Sequence, residues 1–88
     1  MTDNLDPAEA DMTLVNATDE RMTVFLEPWG SSHRLPAGGR MRLATQRGAA
    51  GPAIGEIVIG QRQITLHARP GATIERVGPV IAQDRSVP

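Results

Sequence analysis

Cysteine, lysine and tyrosine are absent from this sequence, and its only aromatic residues are Phe25 and Trp29. Without cysteine, no disulfide can brace the fold and no thiolate can act as a nucleophile or metal ligand. With so few aromatic side chains, the core must be built from Val, Ile, Leu and Met. An 88-residue chain buries little apolar surface on folding. These absences favour support from a second copy, so a homodimer formed through an edge strand is one expectation.

Long apolar runs are also absent, since the longest span only a few residues and a membrane-crossing helix needs about 20. The first eleven residues, MTDNLDPAEAD, are acidic and polar and do not have the pattern of an export signal. We therefore expect a cytoplasmic protein without a membrane partner. The triplet Asn16-Ala17-Thr18 matches a glycosylation sequon, but a sequon is modified only in secreted proteins, so we interpret this match as chance.

Charge is divided unevenly along the chain. Residues 1–20 carry six acidic and no basic residues, whereas residues 21–88 carry nine arginines against four acidic residues. An acidic leader could screen an arginine-rich body that binds an anionic partner, or the charges could simply coat a solvated surface. Nucleic-acid binding on a β-fold needs aromatic stacking platforms beside the basic groove, and the scarcity of aromatic residues argues against it.

Hydrophobic residues after position 11 repeat with a period of two rather than 3.6, which indicates strands. Residues 1–11 are predicted to form a disordered, mobile acidic leader, in which residues 6–9 have the form of a helix start. Residues 12–82 form a single domain and residues 83–88 a polar tail. We expect strands over residues 12–17, 21–27, 32–35, 40–45, 54–59, 63–69 and 73–77, with an edge segment at residues 80–81.

Six or seven short strands separated by turns predict an all-β fold, a small antiparallel β-sandwich. The β-branched run at residues 54–59 is typical of a central strand. If the strand that begins at Arg40 lies at a sheet edge, its alternating arginines would discourage uncontrolled pairing with other chains.

One ordered set of motifs resembles a known group. Asn16 and Thr18 precede Leu26-Glu27-Pro28-Trp29-Gly30, and Leu35-Pro36-Ala37-Gly38 follows. This LEPWG…LPxG order resembles a group of short, uncharacterised bacterial β-sandwich proteins and, more loosely, the first half of immunoglobulin-like and cupredoxin-like domains. The resemblance covers residues 12–77. It implies the sandwich fold and carries no activity with it.

The LEPWG corner is the first candidate site. Pro28 and Gly30 end a strand, because proline fixes φ and glycine accepts positive φ. Trp29 then has two interpretations: its ring closes the end of the sandwich, or it stays exposed as an interface anchor with a polar rim. The second interpretation predicts a non-catalytic protein-interaction or accessory module with a protein partner. Its contact residues would be Trp29, Glu27, His33 and Arg34.

The alternative is a metal- or small-ligand-binding β-domain that uses His33 and His67. These histidines lie 34 residues apart without a neighbouring ligand pair, and a type 1 copper centre needs a thiolate, so we expect no metal site. Ser31-Ser32-His33 lacks a third group to orient the imidazole, and the glycines of residues 51–55 lack a phosphate-loop ending. We therefore expect no catalytic residues, no cofactor and no enzymatic activity.

Overall fold

A computed structural model of the protein describes residues 10–49 and 51–82. The predicted helix start, most of the predicted leader and the polar tail lie outside these residues. Within them no helix is long and apolar enough to cross a membrane. Seven strands follow one another along the chain: β1 (Met12–Val15), β2 (Met22–Glu27), β3 (Ser31–Leu35), β4 (Arg40–Gln46), β5 (Ile54–Gly60), β6 (Gln63–Ala68) and β7 (Thr73–Arg76).

The strands form two sheets of unequal size. One has three strands in the order β1-β4-β7, and the other has four in the order β3-β2-β6-β5. Both contribute side chains to one buried cluster: Val24, Leu26, Leu35 and Leu66 from the larger sheet, with Met41, Leu43 and Ile74 from the smaller. The predicted all-β sandwich of seven strands is confirmed.

The alternation of side chains along each strand builds this core. Val24 and Leu26 are buried on β2, and Met41 and Leu43 are buried on β4, while the residues between them are not. A strand directs successive side chains to opposite faces, so each strand offers one apolar face to the other sheet. Full burial of such a side chain stabilises the fold by about 1.5–3 kcal/mol.

One strand pair departs from the antiparallel expectation. Strands β2 and β6 are parallel, with Val24 opposite Ile64 and Leu26 opposite Leu66, while the other four strand pairs are antiparallel. Parallel neighbours need a long crossover rather than a hairpin. Here the crossover passes through the other sheet, because β4 lies between β3 and β5 in sequence.

One predicted strand position is wrong, since β5 lies at an edge of the larger sheet rather than at its centre. Strand β4, which carries Arg40 and Arg42, is the central strand of the smaller sheet, so the condition for edge protection by its arginines is not met. The predicted edge segment is present, since Ile81 pairs with Arg40 through backbone hydrogen bonds of 2.8 and 2.9 Å.

Asp11, which precedes β1, also bonds to the sandwich. The backbone N–H of Asp11 donates to the carbonyl of Leu43 at 3.0 Å. The Asp11 carboxylate accepts from the Thr45 N–H at 3.0 Å and from the Thr45 hydroxyl at 2.6 Å. Asp11, which was predicted to lie in the mobile leader, therefore belongs to the sandwich.

Asn16 is the only buried polar side chain among the described residues, with 1 % of its surface exposed. Its amide donates to the carbonyls of Glu20, Leu35 and Pro36 at 2.8–3.1 Å. Its carbonyl accepts from the Thr18 N–H at 3.0 Å and the Thr18 hydroxyl at 2.6 Å. Asn16 thus ties the β1–β2 loop to the end of β3, and in the folded protein its amide nitrogen is buried and fully engaged in hydrogen bonds.

Candidate functional site: a groove between two sheet edges

A groove of about 410 Å³ opens on one side of the sandwich. Strand β3 is an edge of the larger sheet and β7 is an edge of the smaller sheet. The groove lies where these edges face each other, and the β2–β3 turn contributes Trp29 to its lining. Its lining consists of Leu26, Trp29, Ser31, His33, Thr73, Ile74, Glu75 and Arg76.

The base of this groove is apolar and its rim is polar. Leu26 and Ile74 are almost completely buried members of the core, so the core itself is reached at the bottom of the groove. The exposed Ser31, Thr73 and Glu75 surround them. An apolar base with a few polar groups around it is the usual composition of a binding site for a side chain or small ligand.

Trp29 lines this groove with 48 % of its surface exposed. The turn that carries it is fixed by a hydrogen bond from the Gly30 N–H to the Leu26 carbonyl at 3.0 Å, and Gly30 has a φ of +76°. The Glu27–Pro28 peptide bond is cis. The indole of Trp29 borders the groove, and about half of its surface remains available.

His33 faces the same groove as Trp29. It lies opposite Val24 in the sheet, and opposite residues of neighbouring strands share a face, so its side chain is on the inner face. Partial burial, and secondarily the nearby Arg76 guanidinium, lower the pKa of His33 below its ordinary 6.5. At neutral pH the imidazole is uncharged, and Arg76 supplies the positive charge of the groove.

Glu27 and Arg34 are not part of the groove. Arg34 lies opposite Thr23, and Glu27 is one residue beyond the buried Leu26, so both side chains are on the outer face of the larger sheet. The structure therefore brings Trp29 and His33 together and separates them from the other two residues of the predicted contact surface.

His67 is also on the outer face. It lies opposite Glu27 on one side and Glu56 on the other. Because His33 points to the inner face of the same sheet, the two histidines cannot bind one metal ion. In residues 10–49 and 51–82, no three His, Cys, Asp or Glu side chains are arranged to hold a metal.

Ser31 and His33 share the groove, as residues two apart on a strand do. A serine nucleophile needs a base that a third group orients, usually a carboxylate. The only ion pair among the described residues joins Arg62 to Glu20 on the surface, so none of their carboxylates is paired with His33. The described residues therefore give the Ser31 and His33 side chains no orienting carboxylate.

Five lining residues that were not predicted as candidate site residues complete the groove: Leu26, Thr73, Ile74, Glu75 and Arg76. Four of them come from β7, which begins 40 residues after His33 in the chain and pairs with β4 rather than β3. No local pattern in the sequence indicates that β7 faces the Trp29 turn.

Comparison with known proteins adds no relative from which a function could be inferred. No protein-family model, no curated protein sequence and no solved structure matches this chain.

Proposed function

We propose that this protein is a non-catalytic interaction module that binds an extended segment of a partner protein in the groove between β3 and β7. The observation that carries the proposal is the half-exposed Trp29 beside an opening that reaches the core at Leu26 and Ile74. Tryptophan and arginine are over-represented among residues that dominate interface energetics. Trp29 and Arg76 provide one of each in the same groove.

An extended segment suits this groove for two reasons. The strands on either side are both sheet edges, so each has backbone N–H and C=O groups on one side without a neighbouring strand. A partner strand can satisfy such groups while its alternate side chains enter the groove. An apolar side chain of the partner would contact Leu26 and Ile74 beneath the indole, and Arg76 favours a carboxylate at the rim.

The experiment is a selection of displayed random peptides on the wild-type protein, followed by affinity measurement of the selected sequences against variants. Trp29→Ala and Arg76→Ala alter the groove, and Phe25→Ala and Arg34→Ala are matched controls on the outer face of the same sheet. We expect Trp29→Ala to weaken binding by about 30-fold, the effect of losing an interface anchor. We expect both controls to bind as wild type does.

Circular dichroism establishes that each variant is folded before its affinity is compared. The proposal is wrong if no peptide is selected, or if Phe25→Ala and Arg34→Ala weaken binding as much as the groove variants do. If free amino acids or metal ions saturate the wild-type groove and no peptide binds, the protein is a metal- or small-ligand-binding domain rather than an interaction module.

A further inference from the structure

A second surface, on the opposite edge of the larger sheet, is independent of the groove. Strand β5 pairs with β6 on one side only. Ile57, Val58 and Ile59 are consecutive in it and are 53 %, 46 % and 73 % exposed. Ile57 and Ile59 lie opposite the core-facing Leu66 and Ile64, while Val58 lies opposite Thr65 on the outer face. This edge is therefore apolar on both faces.

The larger sheet has one strand more than the smaller. Because β7 lies beside β3 at one end of the sandwich, the strand without a counterpart in the smaller sheet is β5, at the other end. Its inward side chains consequently extend past the covered core. A recess of about 320 Å³ beside Ile59 is lined by Met22 and by the polar residues of the β1–β2 loop. The recess can receive an apolar side chain from another chain.

Edge strands are normally protected by charges, prolines or bulges. In β5 the protection is confined to the first half, which has a register irregularity between Ile54 and Glu56 and carries the Glu56 carboxylate. The second half, from Ile57 to Gly60, has none of these devices. An exposed apolar edge that lacks these devices is typical of an interface.

We propose that the partner of this edge is a second copy of the same chain, paired through antiparallel β5 strands about a two-fold axis at Val58. In this register Val58 lies opposite Val58 of the second copy, and Ile57 lies opposite its Ile59. Glu56, the only charged residue of β5, lies opposite Gly60, so no like charges face each other. The strand is thus complementary to itself, as a two-fold interface requires.

Neighbouring registers fit less well. Another register of the two β5 strands is possible only if inward-facing side chains still lie opposite inward-facing side chains. Centring the axis on Ile57 places Glu56 opposite Val58 and Gly55 opposite Ile59. Centring it on Ile59 places Ile57 opposite Gln61 beyond the strand. Only the axis at Val58 pairs all three exposed apolar residues with one another, and it extends the four-stranded sheet into a continuous eight-stranded one.

The first test is sedimentation velocity over about a hundredfold range of protein concentration, since self-association follows mass action. We expect the mass to rise from the 9.4 kDa monomer towards twice that value. Val58→Lys should weaken the dimer at least about tenfold, because the substitution acts twice across the axis and places like charges opposite each other. Val15→Lys is the matched control, since Val15 is 47 % exposed at the β1 edge of the other sheet.

Single cysteines test the register, because the chain has none of its own. Directly opposite residues of antiparallel strands have Cα atoms about 4.5–5.5 Å apart, within disulfide range. Val58→Cys should form a disulfide-linked dimer on mild oxidation. Ile57→Cys and Ile59→Cys should each fail alone and cross-link when mixed.

The proposal is overturned if the wild-type protein stays monomeric at every concentration, or if Val58→Lys dimerises as well as Val15→Lys. It is also overturned if Ile57→Cys or Ile59→Cys alone cross-links while Val58→Cys does not, because the axis then lies elsewhere. These variants leave Trp29 and the groove unchanged, so their outcome is independent of peptide binding.

Discussion

At the scale of single residues, Asn16 contributes more hydrogen bonds than any other described side chain. Its amide and carbonyl connect the backbones of Glu20, Leu35 and Pro36 with Thr18. Its own backbone accepts from the Gly38 N–H at 2.7 Å and donates to the Gly39 carbonyl at 2.9 Å. One side chain thereby holds the loop after β1 against the turn after β3, and so joins the two sheets.

Replacement of Asn16 should therefore be costly. Asn16→Ala leaves buried carbonyls without donors, and we expect it to lower the free energy of unfolding by about 2–4 kcal/mol, measured by urea titration. Asn16→Asp keeps the shape of the side chain but places an oxygen, which cannot donate, next to three carbonyls. We expect it to lower the free energy of unfolding by at least as much as Asn16→Ala. Thr18→Ala removes only the hydroxyl contacts and should cost about 1 kcal/mol. A loss below about 0.5 kcal/mol for Asn16→Ala would contradict this role.

At the scale of elements, the strands were predictable and their partners were not. The period of two locates all seven strands to within two residues at each end, because alternation is a local property of the chain. Which strands pair depends on contacts between distant residues. The parallel pairing of β2 with β6 therefore has no signature in either strand alone.

Strand β5 shows how composition can mislead. The run Ile57-Val58-Ile59 is typical of a strand that is buried on both faces, yet it lies at an edge. If the proposed dimer forms, the same run is covered by the second copy, and the pattern indicates burial in the assembly rather than in the monomer.

Two of the eight groove residues were predictable for the same reason that the strands were. Trp29 and His33 lie close together in sequence, on one turn and the strand that follows it, and both line the groove. Ile74 and Arg76 reach it from the other sheet, which only the folded chain reveals. Glu27 and Arg34 were included by sequence proximity, although adjacent residues of a strand point to opposite faces.

Loop packing gives a prediction at this scale. A Cβ atom at Gly48 would lie 2.9 Å from the carbonyl carbon of Gly71 and 3.0 Å from the Pro70 oxygen, both backbone atoms of the β6–β7 turn. Gly48→Ala must push two backbones apart, and we expect it to lower the free energy of unfolding by about 1–3 kcal/mol.

Gly55→Ala is the control for that substitution. Its Cβ would also approach a neighbour to 2.9 Å, but the neighbour is Cγ of Arg69, which belongs to a flexible side chain that can move away. We expect a change within about 0.5 kcal/mol. Equal losses for the two variants in a thermal or urea denaturation experiment would show that backbone contact is not the deciding factor.

At the scale of the whole molecule, the two sheets share one core, and they should unfold together. Leu66 is 1 % exposed and packs in the cluster that both sheets supply. A domain of this size has a free energy of unfolding of about 4–13 kcal/mol. Leu66→Ala should remove about 2–5 kcal/mol of it, a large share.

Two probes distinguish joint from separate unfolding. Circular dichroism reports both sheets, and the fluorescence of Trp29, the only tryptophan, reports the groove between their edges. We expect coincident transitions in wild type and a common shift to lower denaturant in Leu66→Ala. Ile59→Ala, measured at low protein concentration, should leave the unfolding curves of both probes unchanged. If the fluorescence transition of Leu66→Ala occurs at the same denaturant concentration as in wild type, the groove unfolds independently of the core.

The order of the strands also has a consequence for synthesis of the protein. Strand β2 can pair with β6 only after β6 has been synthesised, and β4 can pair with the whole of β7 only after residue 76 has been added. A growing chain that ends before β6 therefore holds Leu26 and Leu43 without the Leu66 and Ile74 that cover them. The β2–β3 and β1–β4 pairs can form earlier, but the shared core is complete only when β6 and β7 are present.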